Sequence, residues 1–240
     1  MAYLSACGLW FLLDRKKLVW SPDSIITPAK PWWEMAFGLL ACAGILAIGQ
    51  VYSAGLLIPK SSLSWLNQII WILNNFIIFS PVFIVLALRR QKLNTVFISA
   101  RDIFRKLGFG ALASTVGIVL FVGIRGEWHR TTEILINSVN GNSLANFPAT
   151  FFENVALAFL FVRFKWAVGI KWAIIIPSIL FAIAHVPGSL AEGDSWSHIM
   201  TFFTVTGGLT TVILYTAYRS RDIIWLGLVH YFMDLAIKAF

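Results

Sequence analysis

Four ionisable residues stand inside apolar sequence. Glu153 lies in FFENVALAFLFV, His185 near the end of AIIIPSILFAIAHVP, and His230 and Asp234 in LVHYFMDLA. An ionisable side chain at membrane depth is costly without a partner, so such a residue marks a functional site by default. The chemistry open to this set is narrow. The chain has no Ser or Cys nucleophile with a spaced base, no Gly-rich phosphate loop and no HExxH. A carboxylate beside imidazoles in a low-dielectric cavity can hold and deprotonate a water. Imidazole or amide donors can stabilise an oxyanion. Two His and a carboxylate also suit zinc, so the residues leave a metal-free and a zinc reading open. Either way the product is hydrolysis of a bond presented inside the membrane.

The elements that must position these groups are helices. Of 240 residues, 58% are hydrophobic and only 12% charged, with a mean hydropathy of +0.78. Soluble domains carry about twice that charged fraction. The expected fold class is all-α: a polytopic transmembrane bundle of about seven spans plus an interfacial amphipathic helix. Residues 1–240 form one integral membrane domain, with no polar stretch long enough to bury a core of its own.

The spans are expected at Trp33 to Tyr52, Trp65 to Leu88, Gly108 to Ile124, Ala149 to Phe164, a fifth ending near Gly188, Ile199 to Tyr218 and Ile223 to Ala239. Residues 1–13 are apolar but, at about 20 Å as a helix, too short to cross. They are predicted to lie at the interface or insert in part, followed by a Pro-rich linker from Ser21 to Pro31. Residues 95–107, TVFISARDIFRKL, place Val96, Ala100, Ile103, Phe104 and Leu107 opposite Arg101, Asp102, Arg105 and Lys106. That spacing predicts an amphipathic helix in the membrane surface. Asn74 and Asn75 fall mid-span, where bonding between helices is expected. Residues 125–148 read as the longest polar connection. Cys7 and Cys42 read as small core residues without a disulfide framework.

If loops alternate sides, fifteen of the 19 Lys and Arg fall on one side, among them Arg15, Lys17, Arg89, Lys106, Arg163 and Arg219. Only Lys60, Arg125, Arg130 and Lys238 fall on the other. The positive-inside rule makes the first side cytoplasmic and accounts for the net charge of +8 without a nucleic-acid partner. Glu153 and His185 then lie about 6 Å inside the non-cytoplasmic ends of their helices, Asp234 about 8 Å, and His230 one turn deeper. His230 and Asp234, four apart, share a helix face. A shared depth makes one joint site of four residues. His129 and His198 read as solvated surface, His198 with the further option of lining a cavity mouth.

Phe181-Ala-Ile-Ala-His185 fits an FxxxH motif and His230-Tyr-Phe-Met-Asp234 an HxxxN/D motif. With Glu153 upstream, residues 149–238 resemble the core of the CAAX protease and bacteriocin-processing (CPBP, or Abi) family of intramembrane proteases. The resemblance implies a glutamic-type intramembrane endopeptidase without cofactor, acting on a membrane-associated protein or peptide. Glu153 would activate water with help from His185, and His230 and Asp234 would form the oxyanion side. The family's first motif, EExxxR, is met only in part: Asn154 follows Glu153, Ala158 takes the arginine position, and Arg163 is five residues further on. This departure fits a divergent subfamily or an inactive relative that binds peptide or lipid, as in bacteriocin immunity. A proton-coupled carrier is a further rival, opposed by the absence of a visible repeat. The expected location is a bacterial inner membrane, with exported or bacterial-type substrates rather than prenylated ones, because the site falls in the non-cytoplasmic leaflet.

Overall fold

In hydrocarbon the backbone has no water to bond, so apolar segments satisfy their own N–H and C=O groups as helices. The computed structural model describes residues 2–16, 20, 28–59, 64–191 and 193–239. Residues 21–27 of the expected linker from Ser21 to Pro31, and the charges Lys17, Lys60 and Glu192, lie outside the described residues. Nine α-helices are described: α1 Ala2–Arg15, α2 Pro31–Ser53, α3 Ser64–Leu88, α4 Ile103–Ile124, α5 Thr131–Ser138, α6 Gly141–Leu144, α7 Phe147–Ala191, α8 Trp196–Ser220 and α9 Ile224–Lys238. Among the described residues no strand occurs. Five helices (α2, α3, α4, α7 and α8) are long and apolar enough to cross a membrane. The protein is a polytopic helical membrane bundle.

The longest helix is two crossings. α7 runs for 45 residues, but Gly169 in its middle has φ 81° and ψ 172°, a conformation essentially reserved for glycine. A straight helix would hold Glu153 and His185 about 48 Å apart. They instead line one cavity, so the chain folds back at Gly169 into two arms, 147–168 and 170–191. Those arms are the expected fourth and fifth spans, whereas α9, at 15 residues, is not among the helices long enough to cross.

One end of the bundle gathers the expected cytoplasmic segments. Glu34, 1% exposed, accepts from Arg89 Nη2 at 2.8 Å and from Gln91 Nε2 at 2.7 Å. Arg163 donates to Thr95 O at 3.0 Å and to the Gln91 side chain. Trp20 Nε1 donates to Ser220 O at 3.0 Å, and Asp14 stands 3.8 Å from Arg219. Buried charges are tolerated when paired and hydrogen-bonded, and here the pairs lock five chain segments together. Arg163, which the sequence counted among the charges of the cytoplasmic side, is thus a fully buried strut.

The expected surface helix over 95–107 does not form. A short 3-10 turn spans Leu93–Val96, Phe97 and Asp102 take left-handed φ of 59° and 55°, and α4 begins at Ile103. Val96 and Phe97 are buried, and Phe97 O accepts from Ile223 N at 3.0 Å. Lys106, predicted on a polar face, turns inward to Asp222 at 2.7 Å and donates to Ser99 O at 2.9 Å. The apolar stripe is left largely uncovered by protein, with Phe104 and Leu107 exposed, while Val96 and the polar-face Lys106 are buried. Burial pushes the Asp222 carboxyl up to about 6, against the opposing pull of Lys106 and of the backbone N–H groups of Ile224 and Trp225.

Three smaller differences follow the same logic. α1 does not rest on the surface alone: Ala6, Cys7 and Trp10 are buried, and the helix packs on α4, α8 and α9. Asn74 bonds the backbone N–H and C=O of Ile58 in the loop after α2, and Asn75 donates within its own helix to Trp71 O. Residues 125–148 are partly helical, and Ile134 and Ser138 are buried. α4 meets α9 closely because Gly110 has no side chain: a Cβ there would stand 3.0 Å from Trp225 Cα. Small residues allow such approaches between membrane helices.

Candidate active site

A cavity of about 420 Å³ lies between α2, α3 and both arms of α7. Its walls are apolar, from Leu39, Leu46, Phe79, Leu160, Pro177 and Leu180 among others. Glu153 from the first arm and His185 from the second are the ionisable side chains there besides the thiol of Cys42. His185 Nδ1 is 2.8 Å from Phe181 O, one turn earlier on its helix. A carbonyl only accepts, so Nδ1 carries a proton, and in the neutral ring Nε2 keeps its lone pair. The FxxxH spacing is therefore structural as well: it places the acceptor that orients the ring, and the Phe181 ring packs 4.6 Å from the imidazole.

His230 and Asp234 form a second group on α9, outside the cavity lining. His230 Nε2 is 3.6 Å from Asp234 Oδ1, as four-residue helical spacing dictates. Two residues that sequence reasoning did not assign complete this group. Asn154 Nδ2 stands 2.9 Å from His230 Nδ1 and donates to Thr150 O at 2.8 Å. Tyr3 Oη, from α1, donates to Asp234 Oδ1 at 3.4 Å and to His230 O at 3.3 Å. The Tyr3 and His230 rings meet edge to face at 5.8 Å.

Asn154 had a signal, since it sits beside Glu153 in a known motif. Tyr3 had none, because its partners are more than 220 residues away in the chain. Adjacent positions on a helix point about 100° apart, so Glu153 and Asn154 address different neighbours: the cavity and α9. Glu153 is also within Coulombic reach of His230, Asp234 and Lys238. The two groups thus abut across the first arm of α7.

The remaining candidates fall elsewhere. Ala158 is buried, and Arg163 makes its bonds at the opposite end of the arm. His129 and His198 are exposed, each 3.4 Å from a carboxylate, Glu127 and Asp194. His198 does not line the cavity. Among the described residues no group of three His, Cys, Asp or Glu side chains has the arrangement to hold a metal ion.

In this helical membrane protein Glu153 and His185, both half-buried, thus face one apolar cavity from the two arms of α7. Residues 144–236 match the Rce1-like family, described as type II CAAX prenyl endopeptidase Rce1-like. Over that segment the chain is similar to the CAAX prenyl endopeptidases. No curated protein and no solved structure matches the chain. The matched residues run from just before α7 into α9 and include Glu153, Asn154, His185, His230 and Asp234.

Proposed function

We propose that the protein is a glutamic-type intramembrane endopeptidase that hydrolyses a peptide bond of a membrane-associated protein or peptide. The observation that carries this reading is the cavity shared by Glu153 and His185, with the polar side chains of α9 beside it. The Glu153 carboxylate takes a proton from water as the water oxygen attacks the scissile carbonyl carbon. His185 Nε2, with its lone pair free, accepts the second water hydrogen and orients the nucleophile. The carbonyl oxygen becomes an oxyanion, held by donors on the His230 side. As the C–N bond breaks, the proton held by Glu153 passes to the departing amine. The apolar walls keep bulk water away and receive the substrate's apolar part. Residues 149–238 act as the catalytic core within the single domain, and no cofactor takes part.

The proposed setting is a bacterial inner membrane with the site in the non-cytoplasmic leaflet. Reporter fusions at Lys60, Asn142 and Glu192 are expected to read non-cytoplasmic, and a cytoplasmic reading at any one removes this placement. A second reading, a silent relative that binds peptide or lipid, draws on Ala158, which leaves Glu153 without a neighbouring arginine.

The deciding experiment incubates the reconstituted protein with membrane proteins and reads new termini by mass spectrometry, beside Glu153→Ala and His185→Ala. New termini made by the wild type and by neither variant are expected. Identical products from all three folded proteins would instead favour the silent relative. Retention of cleavage under chelation separates the glutamic mechanism from the zinc reading.

A further inference from the structure

One of the two residues that depart from the EExxxR motif, Asn154, makes the closest polar contact of the α9 group, and its bonding pattern determines where a proton sits. Asn154 Nδ2 is 2.8 Å from Thr150 O and 2.9 Å from His230 Nδ1. A carbonyl oxygen cannot donate, so the atom facing Thr150 O is the amide NH₂, and the orientation of the amide is set. An NH₂ group has no acceptor capacity, so His230 Nδ1 must accept and the neutral ring carries its proton on Nε2. That Nε2–H stands 3.6 Å from Asp234 Oδ1, too far for a hydrogen bond, while Tyr3 Oη donates to that oxygen. His185 is the opposite case, protonated on Nδ1 through Phe181 O.

We propose that Asn154 is a positioning residue that holds His230 as the Nε2–H tautomer, so that the site presents two neutral imidazoles in opposite tautomers, His185 accepting and His230 donating. The functional consequence rests on the endopeptidase reading. A carboxylate at position 154 could only accept. It would draw the proton to Nδ1 and leave Nε2 a lone pair, able to donate to an oxyanion only if the ring were doubly protonated. The amide supplies the donor without adding a charge to a low-dielectric site that already holds Glu153 and Asp234. The groups facing His230 are Asn154 from α7, Tyr3 from α1 and Asp234 from its own helix, with Glu153 and Lys238 within Coulombic reach of one another. Asn154 on this account is a change of proton address rather than a lost catalytic group.

The test is ¹⁵N NMR of the full chain labelled at histidine, in nanodiscs at about pH 8, where an ordinary imidazole of pKa about 6.5 is neutral. With four histidines in the chain, single His→Gln variants assign every ring. The expected result is pyrrole-type Nε2 and pyridine-type Nδ1 for His230, with the reverse for His185. Asn154→Asp should move the His230 proton to Nδ1, Asn154→Leu should leave a mixture, and His185 should stay unchanged in both, which also reports that the fold is intact. A wild-type His230 protonated on Nδ1, or a tautomer indifferent to both substitutions, overturns the proposal without any assay of cleavage. Where cleavage is measured, Asn154→Asp should lower kcat about 100-fold, as loss of one oxyanion donor does, with KM little changed. The expected tautomer in a protein that cleaves nothing would refute the endopeptidase reading alone. Cleavage with the wrong tautomer would refute this one alone.

Discussion

Glu153 and His185 stand sixteen residues before and sixteen after Gly169, and the fold-back at that glycine makes them walls of one cavity. The site is assembled by a backbone conformation rather than by nearness in sequence. The α9 group is then brought against the first arm by the bond from Asn154 to His230.

The fold-back makes a distance prediction. Ala156 and Ala184 line the cavity from opposite arms. In a protein with Cys7 and Cys42 replaced by Ala, cysteines placed at 156 and 184 should be joined by a short bifunctional thiol reagent. A single continuous helix would hold them about 42 Å apart and give no product. Gly169→Ala should cost about 1–3 kcal/mol, because φ of 81° with ψ near 180° excludes a Cβ, read as a lower Tm in detergent.

Tyr3→Phe removes the hydroxyl that serves Asp234 and the His230 carbonyl while keeping the ring against the imidazole. The expected loss is about 1 kcal/mol, the net worth of one hydrogen bond. It should appear as a cleavage rate lowered about fivefold. An unchanged rate with an unchanged Tm would show that α1 only packs against the site.

Arg163 separates two accounts of the missing motif arginine. Its bonds run to Thr95 O, Phe159 O and Gln91, at the end of the bundle where Glu34 binds Arg89. Arg163→Met should therefore destabilise the fold by about 1–3 kcal/mol, because it leaves the part-buried acceptors of Thr95 and Gln91 unpaired. Per folded molecule, cleavage should survive. Full stability with lost activity would instead place Arg163 in the chemistry.

Asp222 gives a pH signature. Its carboxyl is raised to about 6 in the fold, chiefly by burial, from an ordinary 3.8. A raised carboxyl stabilises the fold when protonated, so that contribution is complete below about pH 4 and lost as the pH rises through about 6. Stability in that window should fall with a slope approaching 1.4 kcal/mol per pH unit. Asp222→Asn should flatten this component. Lys106→Met removes the neighbouring cation and should extend the slope to higher pH. A wild-type slope of the opposite sign would mean that the Lys106 pair outweighs burial.

Much of this molecule was legible in the order of its residues. Long apolar runs must become membrane helices because no other structure satisfies the backbone in lipid. The bias of Lys and Arg grouped Arg89 and Arg163 on one side, and Glu34 and Gln91 link the two in the fold. Four-residue spacing gave His230 its place above Asp234 and His185 its acceptor at Phe181, because both are properties of a single helix turn. The surface helix over 95–107 failed because periodicity did not show the left-handed turns at Phe97 and Asp102 or the distant partner that draws Lys106 inward.

Tertiary structure alone decided the rest. Nothing in the local sequence brings Tyr3 to Asp234, turns Lys106 onto Asp222 or buries Arg163 beside Gln91, since each contact joins segments far apart in the chain. The orientation of Asn154 toward α9, one position from Glu153, depends on how α7 is rotated against its neighbours. Helix formation is a local accounting of hydrogen bonds and hydropathy, which a sequence carries. The choice of partner for a polar side chain depends on which helices pack together, and the fold makes that choice as a whole.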